Sequence, residues 1–191
     1  MKHVVAFSQS ALVLRHWFEI NLRDASMEHG SRIELRALAR SPHRGSESAA
    51  QLITADEPLW RADLFDRLSD QPGTFGVAHY HPQFAGNEPC PRAWDPQLSA
   101  HPWSWLHDQF ATAGRGSSPA GWPLDPGDAE DIRSMADELV AVAQGFSPER
   151  CGSAAECFRL TRDTRGSVRL MVANLTRQDL LDTERVAAWL A

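Results

Sequence analysis

Apolar and polar residues alternate with a period of two along much of the N-terminal part of this chain, the mark of half-buried strands. Leu12, Leu14, His16, Phe18, Ile20 and Leu22 fall on one face, and Arg15, Glu19, Asn21 and Arg23 on the other. Trp17 breaks the pattern by sitting on the polar side. After a turn-like stretch from Asp24 to Gly30, the alternation resumes. Ile33, Leu35, Ala37 and Ala39 stand opposite Arg32, Glu34, Arg36 and Arg40. The two runs predict an antiparallel hairpin with one solvated face. A shorter apolar run, Val4 to Phe7, precedes them.

Beyond the polar loop SPHRGSES, Gln51 to Thr54 reads as a short strand and Ala55 to Pro58 as a turn. Leu59 to Phe65 fits two periods. As a strand it turns Trp60, Ala62 and Leu64 one way and Arg61 and Asp63 the other. As a helix it spaces Trp60, Leu64 and Leu68 by four. The flanking strand-like runs favour the strand.

Period-two patterning then gives way. Residues 91–127, rich in Pro, Gly and Trp, read as an ordered loop region with one short helix over Pro102 to Ala111, opened by its proline. Asp128 to Gln144 has a helical stripe of Ile132, Met135, Leu139, Val140 and Val142, acids in its first turn and Gly145 at its end. Glu156 to Thr161 and Ser167 to Asn174 flank DTRG as a hairpin, and Thr176 with Asp179 opens a last helix. Residues 1–191 are therefore expected to form a single domain: 1–90 mainly β, then the Trp-rich region, then helix, hairpin and helix over 128–191.

Composition narrows the function more than the fold. A net charge of -6 and a pI near 5.7 disfavour a nucleic-acid binder, which needs a basic footprint. Lys2 is the only lysine among the 19 basic residues, a bias that fits a GC-rich bacterial source. The three cysteines, Cys90, Cys151 and Cys157, contain no CxxC and make no disulfide framework. Gln9, Arg15 and His16 interrupt the apolar N-terminus, so neither a signal peptide nor a span of about 20 apolar residues is expected, and the cytoplasm is the default location. No Walker loop, GxGxxG, HExxH or GxSxG is present, which leaves no nucleotide-binding, zincin or esterase signature.

The stretch that suggests chemistry is GTFGVAHYHPQFAGNEPC, Gly73 to Cys90. Read as a strand, it aligns Phe75, Val77, His79 and His81 on one face, and the apolar pair marks that face as buried. Neutral imidazoles two residues apart suit a divalent metal, and the following loop returns Glu88 and Cys90 to their vicinity. The competing reading is a hydrogen-bonded structural pair. The HxH with a following glutamate resembles the first metal motif of the cupin superfamily, a family of antiparallel barrels. In that pattern the glutamate follows the second histidine by three or four residues, whereas here six intervene. The second cupin motif is not found; His101 and His107 are the histidines available to replace it. The resemblance implies a metal held by His79, His81 and Glu88 in the mouth of a small β-barrel.

Trp94, Trp103, Trp105 and Trp122 form a second candidate, either a flat surface for a small molecule or partner or a seal over the core. Trp103, Trp105 and His107, with Cys90, are the candidate ligand-lining residues. Arg61 and Asp63 are read as a ligand-orienting pair or an ordinary ion pair.

The expected fold is thus α+β, an antiparallel β-sheet or small cupin-like β-barrel with C-terminal helices. The expected function is a metal-binding protein, as an enzyme on a small organic substrate; the alternative is a non-enzymatic protein that binds a small ligand or partner. Neither nucleic acid nor membrane is an expected partner, and a homo-oligomer stays open.

Overall fold

The computed structural model describes residues 2–20, 26–40, 53–115, 122 and 124–150. Within them the alternating segments form a meander. β1 (Lys2–Ala6), β2 (Ser10–Ile20), β3 (Met27–Arg40), β4 (Ile53–Arg67) and β5 (His79–His81) pair in chain order, each antiparallel to the next. A small hairpin of β6 (Phe84–Ala85) and β7 (Glu88–Pro89) follows. Among the described residues the sheet is open, so the barrel alternative is overturned: the three-residue β5 pairs with Arg61, Ala62 and Asp63 of β4, its other side makes a single bridge from Tyr80 to Ala93, and no ladder joins it to β1.

Two expected turns lie inside strands. Met27 to Gly30 belongs to β3, where Gly30 takes φ +153° opposite Trp17 and Phe65. Ala55 to Pro58 belongs to β4. Proline is tolerated in a ladder at an irregularity, and Pro58 pairs with Arg36 at a register shift. Leu59 to Phe65 is strand, as the flanking runs suggest.

The helices cover one face of the sheet. They are α1 (Pro96–Ala100), α2 (Pro102–Ala111), α3 (Pro126–Ser134) and α4 (Ala136–Gln144), with a 3-10 turn over Pro148–Arg150. The single helix expected from Asp128 to Gln144 is broken at Met135 into α3 and α4. Asp95 and Asp125 cap α1 and α3 by accepting from Gln97 N and Gly127 N, as N-cap carboxylates do. The hairpin expected at Glu156 to Asn174 and the helix from Thr176 lie outside the described residues.

Register decides which side chains share a face. Leu12 and Leu14 of β2 stand opposite Leu35 and Ile33 of β3, which stand opposite Trp60 and Ala62 of β4. With Leu98, Leu106, Phe110, Ile132 and Leu139 from the helices they make the apolar core. Each fully buried Leu or Ile there contributes about 1.5–3 kcal/mol. Trp60 stacks on Trp105 of α2 with centroids 6.3 Å apart, and meets Trp122 at 4.9 Å. Ser31 Oγ donates to the Ala143 carbonyl, joining β3 to the end of α4. Asp128 of α3 accepts from Ser8 N, Gln9 N and Ser10 Oγ, which fastens the β1–β2 turn to the helical layer.

The opposite face is charged, yet it is not the solvated surface that alternation predicts. Glu28, Arg32, Glu34 and Asp63 are each 4% exposed or less. Trp17, the exception in the pattern, meets two guanidinium groups, Arg15 at 4.1 Å and Arg32 at 4.8 Å from its ring centroid. Cation–π contact explains why a large aromatic belongs on that side.

Candidate metal centre

His79 and His81 lie on this charged face. The strand predicted from Phe75 is broken: Phe75 has φ +49°, and its ring packs edge-on against Trp103 on the helix side. Regular pairing begins only at His79, so the parity that tied the imidazoles to Phe75 does not carry through. Tyr80, between the histidines, points to the helical layer, 5.3 Å from Trp105 between ring centroids. Both imidazoles are nonetheless buried, His79 completely and His81 to 4% exposure.

The β4–β5 register sets Asp63 opposite His79 and Arg61 opposite His81. Asp63, His79 and His81 thereby bring one carboxylate oxygen and two ring nitrogens within 4.8 Å of one another. Asp63 Oδ2 is 3.4 Å from His79 Nε2 and 3.9 Å from His81 Nε2. Each ring is held from behind. His79 Nδ1 donates to the Val77 carbonyl at 2.8 Å, and His81 Nδ1 to the Cys90 carbonyl at 2.7 Å. A carbonyl only accepts, so Nδ1 carries a proton in both rings, and both turn their Nε2 atoms toward Asp63. That is the tautomer and backing a metal-ligating histidine uses. Among the described residues His79 Nε2 has no hydrogen-bond partner, although it is buried. The Asp63 carboxylate faces it at 3.4 Å, and a ligand atom placed between the two would engage both.

Cations surround the carboxylate. Arg32 donates through Nε to Asp63 Oδ1 at 2.5 Å and through Nη2 to Oδ2 at 3.1 Å. Arg61 Nε forms an ion pair with Oδ2 at 3.0 Å, and Arg61 Nη2 donates to His81 Nε2 at 2.9 Å. Glu19 offsets Arg32 at 2.8 Å. Burial alone would raise the Asp63 pKa, but Arg32 and then Arg61 hold it well below the usual carboxylate range. Burial, and next the Arg61 charge, push His81 down to about 4, so it is neutral near pH 7. The segment after β5 covers this end of the face: Trp94 lies 5.5 Å from His79 and Phe84 6.2 Å from His81, between ring centroids, while Arg92 pairs with Glu28 at 3.0 Å.

The other candidates lie elsewhere. Glu88 is exposed on β7 and is not part of the group; the carboxylate beside the imidazoles is Asp63. Cys90 contributes its carbonyl, and among the described residues its thiol is free. Trp105 and Trp122 are sealed in the core, whereas Trp94 is 56% exposed. Trp105 also lines a cleft of about 450 Å³ with Asp95, His101 and Gln109, and Trp103 lines one of about 420 Å³ with Thr74 and Glu149. Neither lining includes His79 or His81. His107 sits on the helical surface, with Nε2 3.4 Å from Asp137. Arg61 and Asp63 do share a face, as alternation requires, but their ion pair is buried rather than exposed.

Asp63 as the third group was missed because its proximity is a matter of register. Its only sequence signal was that it lies on the polar side of an otherwise apolar strand. Comparison with protein families, with curated proteins and with solved structures found no match.

Proposed function

We propose that this chain is a metal-dependent protein in which Asp63, His79 and His81 hold one divalent ion and a small organic molecule occupies the remaining positions. The observation that carries the reading is the convergence of two backbone-backed Nε2 atoms and one carboxylate oxygen, with His79 Nε2 buried and facing Asp63 at 3.4 Å without a hydrogen bond of regular geometry. Two imidazoles and a carboxylate on one side of an ion leave coordination positions open, as in mononuclear iron, manganese or zinc centres. An ion so held supplies Lewis acidity or an acidified bound water. The chain's own residues orient the ligands: Val77 and Cys90 fix the ring tautomers, and Arg32 fixes the Asp63 carboxylate. Enzymatic action on the bound molecule is part of this proposal, with Trp94 and Phe84 limiting water at the centre.

Elemental analysis of the purified protein, reconstituted with each ion in turn, tests it. Near-stoichiometric metal that is lost in His79→Ala/His81→Ala and in Asp63→Ala is the expected result. Glu88→Gln should keep the ion; loss there would bring the hairpin carboxylate into the ligand set. No metal under any reconstitution would sink the proposal.

A second reading rests on a different observation. Arg32 and Arg61 already satisfy Asp63, and Arg61 already fills the His81 lone pair, so much of the network closes without an ion. On that reading the protein binds a small ligand or a partner without catalysis. Saturable ligand binding by metal-free protein, unaffected by chelators, would favour it.

A further inference from the structure

We propose that the ion at this centre binds together with a small oxyanion, a carboxylate or a phosphate monoester, and that Arg61 is the residue that receives the oxyanion. The inference rests on the metal reading above and extends it to the chemical class of the ligand.

The first argument is charge. Asp63 is the one carboxylate in the metal-binding group, and two guanidinium groups already contact it, Arg32 through two hydrogen bonds and Arg61 through an ion pair. Glu19 balances Arg32; Arg61 has no comparable carboxylate of its own in direct contact among the described residues. Side-chain exposures of 0% for Asp63, 5% for Arg32 and 12% for Arg61 mean that water screens little of this. A divalent ion beside two guanidinium groups and a single carboxylate leaves a large uncompensated positive charge in a poorly solvated place, which is unfavourable. A negatively charged co-ligand removes it.

The second argument is occupancy. Arg61 Nη2 sits 2.9 Å from His81 Nε2, on the lone pair that an ion needs. Ion and guanidinium compete for the same electrons, so metal binding must displace Arg61 from His81. The displaced group then has N–H donors without an acceptor, next to the ion and close to the partly exposed Phe84, 5.7 Å from its ring centroid. A planar guanidinium with paired donors matches the two oxygens of a carboxylate or phosphate, which a lysine would not do as well. Arg61 is thus poised between two acceptors, His81 in the metal-free protein and the oxyanion in the loaded one.

The coupling is reciprocal: an oxyanion that favours the displaced Arg61 must tighten the metal, and the metal must tighten the oxyanion. Zinc affinity of the full chain, measured at buffered free zinc, separates the outcomes. The arms contain acetate, methyl phosphate or neutral acetamide at matched ionic strength. Acetate, methyl phosphate or both should tighten zinc by about tenfold, in the usual range for coupled sites, and acetamide should not. The better of the two names the oxyanion. In Arg61→Gln, zinc should bind more tightly than in the wild type without any anion, because the competitor is gone, and the anion effect should vanish. Equal zinc affinity in all wild-type arms overturns this inference and leaves the metal reading standing. So does weaker zinc binding by a folded Arg61→Gln protein. A wild-type protein that binds no zinc or other divalent ion in any arm overturns both.

Discussion

Arg32 grips both oxygens of Asp63, Nε to Oδ1 at 2.5 Å and Nη2 to Oδ2 at 3.1 Å, across the β3–β4 ladder where the two residues are direct partners. Both side chains are almost wholly buried. Removing one partner of such a pair strands the other charge away from water, which typically costs about 3–5 kcal/mol. Arg61 still contacts Asp63, so Arg32→Ala is expected to lower the unfolding free energy measured in urea by an amount toward the lower end of that range, seen as a lower midpoint. An unchanged midpoint would mean that Asp63 reaches water or a substitute cation in the variant.

Acid should destabilise the protein well before its carboxylates titrate. Burial, and then the charge of His29, lower His16 to about 3, while burial and then Arg61 lower His81 to about 4. The unfolded chain protonates both rings from about pH 6.5 downward, so it binds more protons than the native state below that value. Stability is complete above pH 6.5 and declines as pH falls, by up to about 1.4 kcal/mol per pH unit for each histidine. The His81 contribution levels off near pH 4 and that of His16 near pH 3. Thermal melts across this range, repeated on His16→Leu, should show a shallower slope in the variant.

Gly30 should not accept a side chain. Its φ of +153° disfavours L residues, and a Cβ would lie 2.2 Å from the Leu64 carbonyl oxygen. Gly30→Ala is expected to cost about 1–3 kcal/mol or more, since the obstruction is backbone within a paired strand. Urea unfolding with an unchanged slope and a lower midpoint is the expected outcome.

Asp128 carries the join between the helical layer and the β1–β2 turn. It is 1% exposed and accepts from two backbone amides and the Ser10 hydroxyl. The buried Ser10 hydroxyl left without an acceptor costs about 1–3 kcal/mol, while the amides of the exposed Ser8 and Gln9 can turn to water. Asp128→Ala should therefore destabilise clearly, and hydrogen exchange should quicken first at Ser8 and Gln9. Unaltered protection there would show that the turn is held by its own Phe7–Ser10 contact instead.

Much of the fold was legible in short-range pattern. Alternation in Leu12 to Ile20 and Ile33 to Arg40 marked two strands, and the pleat alone assigns their faces. Pro102 marked the start of α2, because a proline fits where a helix has no use for an amide hydrogen. Trp60, Ala62 and Leu64 against Arg61 and Asp63 marked β4 once its neighbours were taken as strands. The HxH could be seen; its burial was expected from a shared face with Phe75 that the break at that residue removes.

Three matters belonged to tertiary structure. Period-two reasoning carries parity only along an unbroken strand, and Phe75 with its positive φ breaks the one that holds the histidines. The imidazoles therefore joined the charged face, not the apolar core. The third group of the candidate centre is Asp63, sixteen positions before His79 in sequence, because the antiparallel register of β4 and β5 makes the two residues partners. A polar stripe on a strand, finally, says nothing about what covers it. Only the packed structure shows Arg32 paired with Asp63, and Glu34 with Arg15, largely out of water, since burial depends on neighbours that local pattern does not encode.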